Sequence, residues 1–475
     1  MAKGGGLCFI FPDKQPKTTQ NSLIFIWKYS NLGFSYSDPP LKQGKYWRQN
    51  EKNSISGACA VLLRQFALAG VDFDGGKAFN LKDEITRQDI SVPAPVADKA
   101  HRPAKEWTIM VFVNGKNNLE QFALKDMNEM EQVGSTDKVN IVTEVGRING
   151  YDTSDGDWKT VRRYLVQKDA DTAKITSPVV AEFPKVDMGD YKSVIDFVNW
   201  SKAAYPAKKY MLIIWNHGAG WIKSRALADK GISYDDETKN HIDTPQLGLI
   251  LKGAGGVDVY GSDACLMQMA EVDYEIKDYV KFIVGSEETE PGDGYTYNTF
   301  LGPLAANPSM SPEELAKVAV NAYADHYQAS GDGSTQSYVR TAAIPGFLDA
   351  ANAFAYAITQ AGEKDLAKKA MGAAQSYAYP ENKDLYHFAQ LVLAGTQNAE
   401  VKAKGEALMS YISGTLVGAN RTTNSEGGWW GPVSYDNSHG IAVYLPGAAA
   451  PAAYADLAWA KYSNWDEFIA WLAQP

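Results

Sequence analysis

Cysteine is nearly absent from this 475-residue chain: Cys8, Cys59 and Cys265 are the whole complement, and they lie far apart. An odd number at that spacing builds neither a disulfide framework nor a zinc-ligand cluster, so each cysteine must be explained alone. Basic excess is lacking too. A formal net charge of −10 leaves out the positive face that a general nucleic-acid binder needs. No run approaches the roughly 20 apolar residues of a membrane span. The opening MAKGGGLCFIFPDK has only a short apolar run and no small-residue cleavage site behind it, so it lacks the layout of a secretory signal. ISGACAVLLRQFALAG (55–70) resembles the apolar core of such a signal, but Arg64 interrupts it and it lies far from the start. Histidine is scarce as well, with six residues, so an imidazole in a chemically informative place stands out.

What is present falls into two regimes. Residues 1–104 are net basic, show little periodicity and close on the Pro/Ala-rich SVPAPVADKAHRPAKE (91–106), which reads as a linker. This part reads as a leader or loosely ordered extension. Beyond it, buried-strand patterns alternate with amphipathic helices. Strands are predicted at 107–115, 139–146, 210–218, 257–265, 281–288 and 337–344. Helices are predicted at 117–134, 190–206, 266–279 and 311–327. Alternation of this kind implies an α/β fold, with a mostly parallel sheet and helices on both faces. From about 346 the chain is Ala-rich and mainly helical, and it closes with a strand at 439–446 and a helix at 464–472. The expected organisation is an extension (1–104), a catalytic α/β domain (105–345) and a helical C-terminal subdomain that completes it (346–475).

Two strand ends carry chemistry. YMLII runs into WNHGAGW (215–221), and VDVYG runs into SDACLMQMAEV, so His217 and Cys265 lie at the carboxyl ends of successive buried strands. Open parallel sheets bind ligands at that edge. A thiolate is the nucleophile, and an ordinary thiol of pKa about 8.5 is mostly protonated at neutral pH. The predicted helix at 266 would place Cys265 at a helix start, where negative charge is favoured, and His217 could take the thiol proton. The amides of Gly218 and Cys265 could then receive an oxyanion. A lone Cys is more often core and a lone His-Gly more often a turn; the joint placement outweighs both. His439 also precedes a glycine but stands before a strand, at the wrong end, and reads as structural. His101 falls in the linker, and His241, His326 and His387 read as solvated or locally satisfied.

WNHGAGW and SDACLMQMAEV together resemble the paired motifs of the clostripain family of cysteine peptidases, related by fold to caspases, gingipains and legumain. The resemblance runs from about Trp107 to Trp471. It takes in the DD after the His motif, GDGYTY (292–297) and the closing GIAVYLP…NWDEFIAWL. It implies a caspase-like sheet and cleavage after Arg or Lys by a Cys265–His217 dyad. It also implies self-processing between the two motifs and a secreted, periplasmic or surface location. A basic substrate side chain needs a carboxylate, which the resemblance assigns to Asp263, with Asp293 as second candidate; a helix cap and an Asp-Gly turn are the plainer alternatives. Candidate processing sites are Lys223, Arg225, Lys230 and Lys239, with the Lys230–Gly231 bond preferred because glycine keeps a chain open to a protease. The expected partner is a peptide or protein substrate, the expected state a monomer. No cofactor is required. Calcium is a weak option at YDTSDGDW (151–158), whose spacing does not fit an EF-hand loop. GAGG (253–256) lacks the flanks of a phosphate loop and reads as a helix end. Two other readings stay open: a silent relative that binds peptides in the same cleft, and a different thiol acyl-transfer enzyme.

Overall fold

The computed structural model describes residues 103–221, 231–428 and 431–475. Cys8, Cys59, His101, the leader, Lys223, Arg225 and Lys230 lie outside the described residues. The described part is built on a nine-stranded sheet of spatial order β12-β10-β9-β8-β5-β1-β2-β3-β4. The five inner strands are β9 (Val280–Gly285), β8 (Val257–Asp263), β5 (Ala207–Trp215), β1 (Lys105–Gly115) and β2 (Val139–Arg147), and they pair in parallel. Both edges are antiparallel. One carries β3 (Val161–Leu165) and β4 (Val179–Phe183), the other β10 (Ser334–Arg340) and β12 (Val417–Thr423).

The inner strands are largely apolar on both faces, as crossover helices require, although β2 buries Asn140 and Glu144 on one of them. Along β1, Met110 and Phe112 enter one core cluster, while Trp107, Ile109, Val111 and Val113 enter the other. The first cluster receives α2 (Tyr191–Ala204), α3 (Thr244–Gly253), α4 (Ala270–Ile276) and α7 (Ile344–Ala361). The second receives α1 (Glu120–Val133), α5 (Tyr297–Ala306) and α6 (Pro312–Ser330). Start signals in the sequence act as expected: Ser311 and Glu314 form a capping box at α6, and the Asp190 side chain accepts the Lys192 amide at α2.

From residue 346 onward the chain adds β12 to the main sheet and α8 (Lys364–Ala373), α9 (Leu385–Gly395), α10 (Ala399–Tyr411), α11 (Ala458–Tyr462) and α12 (Trp465–Ala473). Three two-stranded pairs complete it: β6 (Ile232–Asp235) with β7 (Asn240–Ile242), β11 (Asn382–Asp384) with β15 (Ala442–Tyr444), and β13 (Ser425–Gly428) with β14 (Gly431–Val433).

Three expectations shift. The closing strand is shorter than 439–446 and pairs with β11 outside the main sheet. The helix read from 117 starts at Glu120, because the Asn117 side chain accepts the Leu119 amide and holds the preceding residues in a turn. The helix read from 266 starts at Ala270. Met269 first makes a parallel bridge to Ala442, and the Met269 amide bonds Met267 O. Among the described residues no helix is long and apolar enough to cross a membrane.

Candidate active site

β5 and β8 are parallel neighbours in a register that sets Trp215 opposite Asp263. The pairing continues one step, as the Asn216 amide donates to Asp263 O at 3.2 Å. Both chains then leave the sheet at the same edge. Gly218 passes so close to the other exit that a Cβ there would collide with Cys265 O and lie 3.0 Å from both Cys265 N and Ala264 Cβ. The predicted convergence of the His and Cys motifs is therefore realised in the backbone.

The Asn216 side chain ties the His strand down on both sides. It donates to Asn114 O at 2.6 Å and accepts the Tyr234 amide at 2.8 Å. His217 is half-buried. Its Nε2 lies 2.7 Å from Asn118 Oδ1. The Ala219 amide, one residue past Gly218, donates to Gly231 O at 2.9 Å.

Cys265 is in no disulfide and is 4% exposed. The expected helix start does not serve it, since α4 begins five residues later. A loop does so instead. Residues leaving β9 wrap the nucleophile turn: Leu266 N–H donates to Glu288 O, Gln268 N–H to Ser286 O, both at 3.0 Å, and the Glu290 amide points at Cys265 Sγ at 3.3 Å. An N–H aimed at sulfur favours the thiolate as a helix end would. On the other side Gln268 O accepts the Ala442 amide at 3.1 Å, so β15 closes the clamp. Leu266 is in the left-handed region, φ 65°. For a bulky side chain this conformation is costly and persists where the surroundings impose it.

Asp263 ends β8 and is buried at 3% exposure. The chain turns at Ala264, so strand alternation stops before Cys265. The Asp263 oxygens accept the Tyr295 amide at 3.0 Å and the Tyr297 hydroxyl at 2.7 Å. Burial pushes its carboxyl up to about 6, against the lowering effect of the Tyr297, Glu290 and Tyr295 hydrogen bonds. Behind it, Asp126 accepts Trp215 Nε1–H at 2.7 Å and is raised by burial and then by the Asp263 charge. Asp293 is different. It is about half exposed, ion-pairs with Lys125 at 2.7 Å and His326 at 3.5 Å, and is held well below the usual carboxylate range by the His326 hydrogen bond and by Lys125.

The remaining candidates are more peripheral. Lys239 occupies the β6–β7 turn with φ 60°, pairs with Asp236 at 3.5 Å, and its amide bonds Asp235 O. Gly231 is buried, and a Cβ there would collide with Ile242 O, so it is packed rather than open. The His439 amide donates to Asp384 Oδ2 at 2.6 Å, and its ring stacks on Tyr386. In the acidic loop, Asp157 pairs with Lys159 and Asp152 with Arg147. Among the described residues no group of three or more His, Cys, Asp or Glu could hold a metal ion. Sequence reasoning missed Asn118 and the Glu290 amide. Asn118 had a signal, a polar amide just past the end of a buried strand, but the helical pattern absorbed it. Backbone amides carry no sequence signal.

The profile of the clostripain family matches residues 111–470. Clostripain of Hathewaya histolytica is 28% identical over 230 residues, covering 44% of this chain and 44% of that protein, so the match spans less than half the length of that relative. A secreted cysteine protease from Bacteroides thetaiotaomicron, solved with an irreversible peptide inhibitor, superposes with a TM-score of 0.57 at 18% identity, covering 77% of this chain and 99% of that one. An inactive zymogen protease from Parabacteroides distasonis gives a TM-score of 0.57 at 18% identity, covering 75% and 98%. At that identity the two structures speak for a shared fold.

Proposed function

Because the chain belongs to the clostripain family, we propose that it is a cysteine endopeptidase that cuts after arginine or lysine, with Cys265 as nucleophile and His217 as its proton partner. One observation carries the reading: the two strand exits run so close that Gly218 has no room for a side chain against Cys265. In the reaction, His217 takes the thiol proton and sulfur attacks the scissile carbonyl carbon. The oxyanion that forms is received by the Gly218 and Cys265 amides. The C–N bond breaks as His217 returns the proton to the departing amine, leaving a thioester. Water then attacks, its proton passing to His217. The C–S bond breaks, the peptide acid leaves and the thiol is restored.

The preference for a basic residue rests on two carboxylates, Asp263 at the end of β8 and Asp293 in the loop after β9. Asp263 lies at depth and Asp293 at the surface, where a desolvated guanidinium or ammonium would find its counter-charge. Cys265 is 4% exposed, so substrate needs an opening step. We assign that step to self-cleavage between the two motifs, after Arg225 or Lys223, with Lys230 less favoured because the Gly231 that follows it is buried. Lys239 is the least suited, because its tight turn is far from the extended backbone a protease site accepts. Export is proposed on the likeness to the secreted Bacteroides protein.

A peptidyl electrophile tests the function. One bearing Arg or Lys beside the reactive carbon is expected to modify Cys265, and one bearing Asp is not. Cys265→Ala is expected to stay a single chain with no peptide cleavage. Cleavage by that variant would end the assignment. A chain that takes neither electrophile would be a binding protein with the same cleft.

A further inference from the structure

The turn joining β1 to α1 is held by several hydrogen bonds, and Asn118 lies in it. The Asn114 side-chain oxygen accepts the Lys116 amide at 3.1 Å, and that of Asn117 accepts the Leu119 amide at 2.9 Å. Asn117 Nδ2 donates to Tyr234 O at 2.8 Å. Lys116 is buried and reaches Val186 O at 2.7 Å and Asp235 at 3.3 Å. The carbonyl of Asn114 holds Asn216, the neighbour of His217. Val113 pairs with Trp215 in the β1–β5 register, so one turn sets the position of both the imidazole backbone and the amide that meets the ring.

We propose that Asn118 is the positioning residue of the thiol–imidazole pair, fixing the His217 ring so that Nδ1 is the nitrogen that exchanges a proton with Cys265. The inference rests on the peptidase function proposed above. A side-chain oxygen only accepts, so the 2.7 Å contact places the ring hydrogen on Nε2. A neutral ring with hydrogen on Nε2 keeps its lone pair on Nδ1. Asn118 and His217 are both only half-buried, and an acceptor held against Nε2 narrows the rotation open to a half-exposed ring. The amide supplies orientation without the charge that a carboxylate would add. The chemistry would then need three side chains from three elements, with Asn118 acting through His217 and not on the substrate.

Asn118→Ala is expected to lower kcat on an Arg- or Lys-containing peptide about 10- to 100-fold, the range seen when a ligand-orienting partner is removed, with KM within twofold. Asn118→Asp retains an oxygen at the same reach and is expected to recover most of kcat. An activity-independent readout is the pH profile of Cys265 alkylation by iodoacetamide, followed by mass spectrometry. The parent should alkylate with an inflection below the ordinary thiol value of about 8.5, and Asn118→Ala should move it upward. Asn118→Leu, of similar size and without an acceptor, replaces the alanine variant if melting shows that alanine loosens the turn. A parent that neither cleaves peptides nor shows a lowered inflection overturns the peptidase function itself. A parent that does both, with loss variants within twofold in kcat and unchanged in inflection, overturns the Asn118 assignment alone. So does an aspartate variant as impaired as alanine.

Discussion

Lys125 holds Asp293 through a 2.7 Å ion pair. The second of the two carboxylates offered to the substrate's cation is thus already engaged by an ammonium of the same chain. Glu129 flanks the same lysine at 3.6 Å, and His326 lies on the far side of Asp293. If Asp293 serves the basic specificity proposed above, an incoming arginine or lysine has to displace Lys125 or share the carboxylate with it.

Removing that competitor should help basic substrates. Pairs this exposed are worth about 0–1 kcal/mol, which corresponds to at most about fivefold in binding. Lys125→Gln is expected to lower KM for an Arg or Lys peptide about two- to fivefold. The kcat should be unchanged, and so should KM for a peptide with a neutral residue at that place. Steady-state kinetics on matched peptides check it. An unchanged KM on the basic peptide would detach Asp293 from the substrate pocket.

Gly218 admits no side chain. The obstruction is backbone, Cys265 O and N, and cannot swing aside. Overpacking of this kind costs about 1–3 kcal/mol. Gly218→Ala is expected to lower the melting temperature by several degrees and to cut peptide turnover about 100-fold or more. Gly302 in α5 is the control, since a Cβ there meets nothing within 4 Å. Gly302→Ala should leave turnover alone and raise the melting temperature slightly, alanine being the better helix former. Equal effects from the two substitutions would refute the close approach.

Glu271 in α4 makes stability depend on pH. Its carboxylate accepts the Tyr444 amide at 3.0 Å and the Tyr454 hydroxyl at 2.8 Å, yet burial pushes it up to about 7. A carboxyl whose pKa rises on folding keeps its proton in the native chain at a pH where the unfolded chain has released it. Stability therefore falls as pH climbs from about 4.5 to about 7, and levels off beyond. Asp263, at about 6, adds to the same slope between about 4 and 6. The melting temperature is expected to be higher at pH 5 than at pH 7, and Glu271→Gln should flatten part of that difference. A melting curve whose pH slope survives the substitution intact would rule out Glu271 as its source.

The sheet was legible because β1, β5 and β8 are apolar on both faces, a pattern only an inner parallel strand needs. The edges were harder. β4 is largely exposed and β3 carries two arginines, so neither shows the periodicity of a strand. His217 and Cys265 could be read because strand ends are punctuated by glycine and polar residues. The support of the thiol could not. LMQMAEV has helical composition, but Met269 is drawn into a bridge with Ala442, a contact between segments more than 170 residues apart. The expected strand ran to Cys265, whereas β8 ends at Asp263. That its oxygens belong to Tyr295 and Tyr297 depends on the fold of a later loop.

The clamp on the nucleophile turn has a consequence for the birth of the molecule. One jaw, the loop leaving β9, follows the cysteine closely, but the other, β15, is translated long afterwards. Until Ala442 has left the ribosome, the segment carrying Cys265 lacks one of its two supports. Under the proposed function, the nucleophile turn would gain its second support, from Ala442, only late in synthesis.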